Sequence, residues 1–167
     1  TAFEAEFAKY CGVRHGIAVC NGTVAIHLAL VASGIGRGDE VITPPNSFIA
    51  TAAAIAATGA KPVFVDVNEE YNIDAKLVEP AITPNTRAIL PVHLAGNPAD
   101  MPVILDIAKK HNLSIVEDAA QSVGATIDGK PTGSFGIGCF SLHPLKNLNV
   151  WGDGGMVTTG SIELYEK

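Results

Sequence analysis

Basic residues are scarce in this chain: 11 lysines and arginines are scattered among 17 acidic residues, for a formal net charge of −6. With no basic stripe to neutralise phosphates along a duplex, a nucleic-acid partner is excluded. Charged residues of both signs make up only 17% of the sequence and apolar ones 47%, which is too apolar a balance for a disordered chain. Even so, no apolar run reaches the length of a membrane span. Internal repeats, low-complexity segments and domain linkers are also missing, so 1–167 reads as a single domain. Cys11, Cys20 and Cys139 offer neither the close pairs of a zinc site nor the even count of a disulfide framework. They read as buried free thiols of a reducing, cytoplasmic compartment. His15, His27 and His111 have no carboxylate or histidine at ligand spacing, so no metal is expected.

What the sequence does have is regular alternation. Residues 2–10 place Phe3, Phe7 and Tyr10 on one helical stripe, closed by Gly12. A short buried strand follows over His15–Cys20, and Asn21-Gly22-Thr23 turns into a helix over Val24–Ser33. Strands are predicted at 40–43, 61–66, 86–93 and 113–118. An alanine-rich helix is predicted at 48–58, a short one at 75–80 and a third at 99–111. A glycine-rich stretch over 124–138 precedes a last strand, which leads through Phe140 to Lys146. Such alternation predicts an α/β fold of three layers, α/β/α, with a largely parallel central sheet and ligands gathered at the carboxyl ends of its strands. Thr1 is not a start methionine, and 164–167 reads as a helix just begun. The sequence is therefore expected to be a truncated piece of a longer protein.

Two glycine patterns lead nowhere. Gly124 to Lys130 has the spacing of a phosphate loop, but Pro131 stands where Ser or Thr is required and no helical pattern follows. Gly34-Ile-Gly36-Arg-Gly38 ends a helix, whereas a dinucleotide fingerprint must open one.

A third turn is more promising. At Asn21-Gly22-Thr23 a strand hands over to a helix whose first free N–H groups form an anion site, with Gly22 allowing close approach and Thr23 adding a hydroxyl. His93, at a strand end, is a candidate substrate contact. Asp118 taken singly is an ordinary helix cap, and Lys146 an ordinary loop lysine. Together, a phosphate-ready helix start, a strand-end aspartate, an aromatic residue and a lysine are what pyridoxal 5′-phosphate (PLP) requires.

The order and spacing of Asn21-Gly-Thr23, Val41-Ile-Thr-Pro44, Phe48-Ile-Ala-Thr51, Pro91-Val-His-Leu94, Glu117-Asp-Ala-Ala-Gln121, Phe140-Ser141, Lys146-Asn-Leu148 and Gly152-Asp-Gly-Gly155 are specific as a set. At these residues the chain resembles the DegT/DnrJ/EryC1/StrS family of PLP-dependent sugar aminotransferases, within the fold type I aspartate aminotransferase superfamily. The resemblance implies a mixed, mainly parallel seven-stranded sheet: most of the PLP-binding large domain, with the N-terminal start and the small C-terminal domain lying outside 1–167. It implies that Lys146 forms the internal aldimine and that Asp118 pairs with the pyridinium nitrogen. Gln121 would reach the phenolic oxygen, Phe48 would stack on the ring, and Gly22, Thr23 and Ser141 would hold the phosphate. It further implies a homodimer that carries nitrogen from an amino acid, usually glutamate, to a nucleotide-linked keto-sugar by ping-pong transamination. Two relatives remain as alternatives: a non-catalytic PLP-binding regulatory protein, and a sugar dehydratase in which histidine replaces the lysine.

Overall fold

Successive residues of a strand face opposite ways, and in this chain both faces of the central strands are apolar. The computed structural model, which describes residues 1–167, arranges them as follows. The strands are β1 (His15–Val19), β2 (Glu40–Thr43), β3 (Lys61–Phe64), β4 (Thr86–Ile89), β5 (Ser114–Asp118), β6 (Thr126–Ile127), β7 (Lys130–Pro131), β8 (Ile137–Ser141) and β9 (Gly155–Thr159). The helices are α1 (Ala2–Cys11), α2 (Gly22–Ala32), α3 (Ala50–Ala57), α4 (Ala75–Val78), α5 (Met101–His111) and α6 (Ile162–Tyr165). Seven strands form one sheet in the order β1-β9-β8-β5-β4-β2-β3. Only β9 runs antiparallel to its neighbours.

Alternate residues feed two cores. Val41, Ala88, Val116, Cys139 and Val157 pack with Ala25, Ile26, Ala29 and Leu30 of α2 and Ala54 and Ile55 of α3. Their strand neighbours Ile42, Ile89 and Ile115 meet Val78 of α4 and Met101, Ile104 and Ile107 of α5. Phe140 and Met156 face α1 through Phe7 and Cys11. The result is the three-layer α/β/α architecture with a mixed, mainly parallel seven-stranded sheet. No helix is long and apolar enough to cross a membrane.

Several elements depart from the expected reading. β1 is an edge strand and only half-buried, because α1 and α2 cover it incompletely. β9 was not foreseen: its first residue belongs to a glycine run that reads as a turn, yet all five of its residues are buried. The glycine-rich stretch contains the hairpin β6–β7, which turns at Asp128 and Gly129 with φ of 50° and 79°. This left-handed pair is the signature of a tight hairpin turn, which accounts for the phosphate-loop-like spacing.

Three features lock the centre of the sheet near Asp118. Glu117, fully buried, accepts hydrogen bonds from the N–H groups of Gly133 at 2.7 Å, Phe135 at 2.7 Å and Gly136 at 2.8 Å. It thereby fastens the approach to β8 onto β5. The other two features are glycines. A Cβ on Gly22 would lie 2.8 Å from Cβ of Ser141, and one on Gly155 would lie 2.5 Å from the carbonyl carbon and oxygen of Asn21. Helix α2 is thus pressed end-on against β8 and β9.

Because the atoms facing Gly155 are backbone and cannot swing aside, Gly155→Ala is expected to destabilise the protein by about 1–3 kcal/mol. Urea unfolding checks this, and a midpoint unchanged from the parent would contradict the packing described.

Candidate active site

The turn after β1 is shaped by its cap. Asn21 is extended, and its Oδ1 accepts from the Val24 N–H at 2.9 Å. Gly22 and Thr23, ahead of Val24 in the first turn, have no carbonyl four residues back to bond within the helix. Their N–H groups and the helix dipole give this end an affinity for anions. Ser141, the last residue of β8, stands against Gly22.

These residues form one wall of a cavity of about 410 Å³. The structure brings seven of the expected site residues to its lining: Gly22, Thr23, Phe48, Asp118, Gln121, Ser141 and Lys146. Phe48 stands at the lip, largely exposed, and Lys146 is half-buried in the loop after β8. Gly22 lines the cavity, and its missing side chain also makes room for Ser141. Of the glycines after Lys146, Gly154 and Gly155 are buried against Leu142 and Asn21, whereas Gly152 has open space around it.

Asp118 closes the floor. Its Oδ2 accepts from Thr51 Oγ1 at 2.7 Å and its Oδ1 from the Ala120 N–H at 3.2 Å. No lysine or arginine lies within ion-pair distance of it. Burial pushes its carboxyl above the usual range, opposed by the hydrogen bonds from Thr51 and Ala120 and by the charge of Lys146. Gln121 has its amide orientation set from outside the cavity. Its Oε1 accepts from the Ala95 N–H at 2.9 Å, so the free group it can offer is the NH2 donor. Ala95 has the left-handed φ of 52°, a conformation uncommon for a residue with a Cβ.

His93 is a correction to the expected substrate contact. Its side chain is fully buried and does not line the cavity. Nδ1 accepts from the Ala99 N–H at 3.1 Å, so the ring proton is on Nε2, 3.1 Å from Glu117. Both nitrogens are committed inside the protein, and none is left for a ligand. Sequence reasoning missed the role of Thr51, although the signal was present: it is the sole polar residue of α3, yet is only 2% exposed. Ser47, His143 and Asp153 also reach the cavity without having been singled out.

The sequence model of the DegT/DnrJ/EryC1/StrS aminotransferase family matches residues 1–167. The chain belongs to this family. Among its relatives is the UDP-N-acetyl-3-dehydro-alpha-D-glucosamine 3-aminotransferase of Acidithiobacillus ferrooxidans, 55% identical over 99% of this chain and 46% of the relative. S. venezuelae DesV, solved in complex with a ketimine intermediate, superposes with a TM-score of 0.96 at 52% identity, over 99% of this chain and 45% of DesV. NtdA of Bacillus subtilis, solved with its cofactor PMP bound, gives 0.92 at 43% identity, over 98% of this chain and 37% of NtdA. The chain therefore spans less than half the length of these DegT/DnrJ/EryC1/StrS proteins.

The buried Asp118 carboxylate has a pH consequence. A carboxyl raised by folding costs nothing below its ordinary range; the cost grows as pH rises from the ordinary value to the raised one and is constant above it. Without cofactor, Asp118→Asn is expected to stabilise the protein by about 1 kcal/mol at neutral pH. The gain should vanish as pH falls into the ordinary aspartate range, as read by urea midpoints across pH.

Proposed function

We propose that the chain is the cofactor-binding part of a PLP-dependent aminotransferase that moves nitrogen from an amino acid to a nucleotide-linked keto-sugar. The observation that carries this reading is Asp118: a buried carboxylate with no cationic partner, on the floor of a cavity that also holds Lys146. A protonated pyridine nitrogen is the cation such a site fits. The other donors suit the rest of the same molecule: first-turn N–H groups with Thr23 and Ser141 for a phosphate, and the Gln121 NH2 for a phenolic oxygen. The names of relatives that act on UDP- and dTDP-linked sugars support the substrate class.

When bound, PLP supplies the aldehyde that takes up an amine and the electron sink that stabilises a carbanion. Asp118 holds the proton on the ring nitrogen and so keeps that sink strong. Lys146 Nζ would be the amine that holds the aldehyde, and as a free amine it would serve as general base and then acid. Gly22, Thr23 and Ser141 would hold the phosphate end and so fix the cofactor's position relative to Lys146 Nζ. Gln121 would orient the ring through its phenolic oxygen, and Phe48 would cover one face and exclude water.

A homodimer is part of the proposal. Phe48 at 73% and Leu145 at 88% relative exposure line the cavity, and Ile49 at 70% and Trp151 at 105% lie close to its lining residues in sequence; exposed apolar groups of this kind mark an interface. A cytoplasmic setting is in keeping with the three free thiols.

The test uses the whole protein with added PLP. A visible band should form, borohydride should fix the label on Lys146, and glutamate should bleach the band. Nitrogen should then pass to a nucleotide-linked keto-sugar, and Lys146→Ala should slow that transfer by about 10³-fold or more. A band without nitrogen transfer would indicate a binding protein, and a label on another lysine would overturn the assignment.

A further inference from the structure

Helix α3 is alanine and isoleucine apart from one residue, Thr51. A hydroxyl on the buried face of such a helix needs a partner. The usual partner is the carbonyl four residues back, and a cap is the usual alternative in a first turn. Thr51 takes neither: the helix begins after Ile49 with no side-chain cap, and Oγ1 bonds Ser47 Oγ at 2.8 Å and Asp118 Oδ2 at 2.7 Å. The directions of these two bonds follow from chemistry. A hydroxyl has one proton and an ionised carboxylate only accepts, so Thr51 donates to Asp118 and accepts from Ser47. The chain of donors therefore runs one way, from Ser47 through Thr51 to Asp118.

We propose that Thr51 is a positioning residue: with Ser47 behind it, its hydroxyl holds the Asp118 carboxylate ionised and oriented for the cofactor's ring nitrogen. This rests on the cofactor reading above. Thr51 is the one side chain that hydrogen-bonds Asp118; the remaining bond comes from the Ala120 backbone. Thr51 is the second residue of α3, so the carboxylate also lies against the partial positive charge of that helix's first turn. Hydrogen bonds to a charged group are the stronger kind, and here the group has no cation to replace them.

The test compares PLP affinity, from the visible band of the holoenzyme, across variants. Thr51→Val keeps the branched shape without the hydroxyl and is expected to weaken PLP binding about ten-fold. Thr51→Ser, which keeps the donor, is expected to bind within about two-fold of the parent. In an Asp118→Asn background, Thr51→Val should weaken binding no further, because the group it acts through is gone. Parental affinity in Thr51→Val, a loss that Thr51→Ser does not rescue, or an equal further loss in the Asp118→Asn background would each overturn the inference. Should Thr51→Val fail to fold, Ser47→Ala removes only the second link and is expected to weaken binding about three-fold; unchanged affinity there overturns it as well. A parent protein that binds no PLP would strike the cofactor reading itself, and this inference with it.

Discussion

A carboxylate held out of water without a cation is the constraint on which the rest of this cradle depends. Removing an anion from water costs several kcal/mol even after relaxation, and a fold keeps one only if donors surround it. Asp118 has two, from Thr51 and Ala120, and its carboxyl is still pushed upward. Its neighbour Glu117 shows the opposite solution. Buried as deeply, it is met by three backbone N–H groups and by His93. One strand thus carries two adjacent acids, one saturated by the protein and one left in need of charge. The first serves architecture and the second is available for chemistry.

The same contrast explains why His93 reads differently in sequence and in structure, and why Gly22 carries a packing role that the sequence does not show. Both lie at strand ends or turns on the ligand side, where a one-dimensional argument places function. What decides their roles is which way each faces, and that depends on partners far away in the chain. His93 faces Glu117 and Ala99, and Gly22 faces Ser141. In each case the contact is tertiary and leaves no local signature.

Where the signal was local, the sequence carried it well. The alternation of strands and helices is visible because β2, β4 and β5 each carry adjacent apolar residues, Val41-Ile42, Ala88-Ile89 and Ile115-Val116, one for each covered face of the sheet. The turn at Asn21 and the start of α2, to within two residues, could be read from residue types alone. β9 could not, since a strand of glycine, methionine, valine and two threonines that starts in a glycine run lacks a bounding turn signal. Lys146 and Asp118 were legible only as members of a set, because each has a common and uneventful reading by itself. Thr51 was visible as a break in an alanine helix, but its meaning needed the distance to Asp118.

The position of β9 sets an order of assembly. β1 has no neighbour in the sheet except β9, so it cannot join the sheet until Gly155–Thr159 have been made. The turn at Asn21 and Gly22 is held in place by Ser141 and Gly155, which are equally late. Contacts of such long sequence separation form slowly, after nearer ones have closed. The end of α2 nearest the cavity therefore reaches its final form only once β9 lies between β1 and β8.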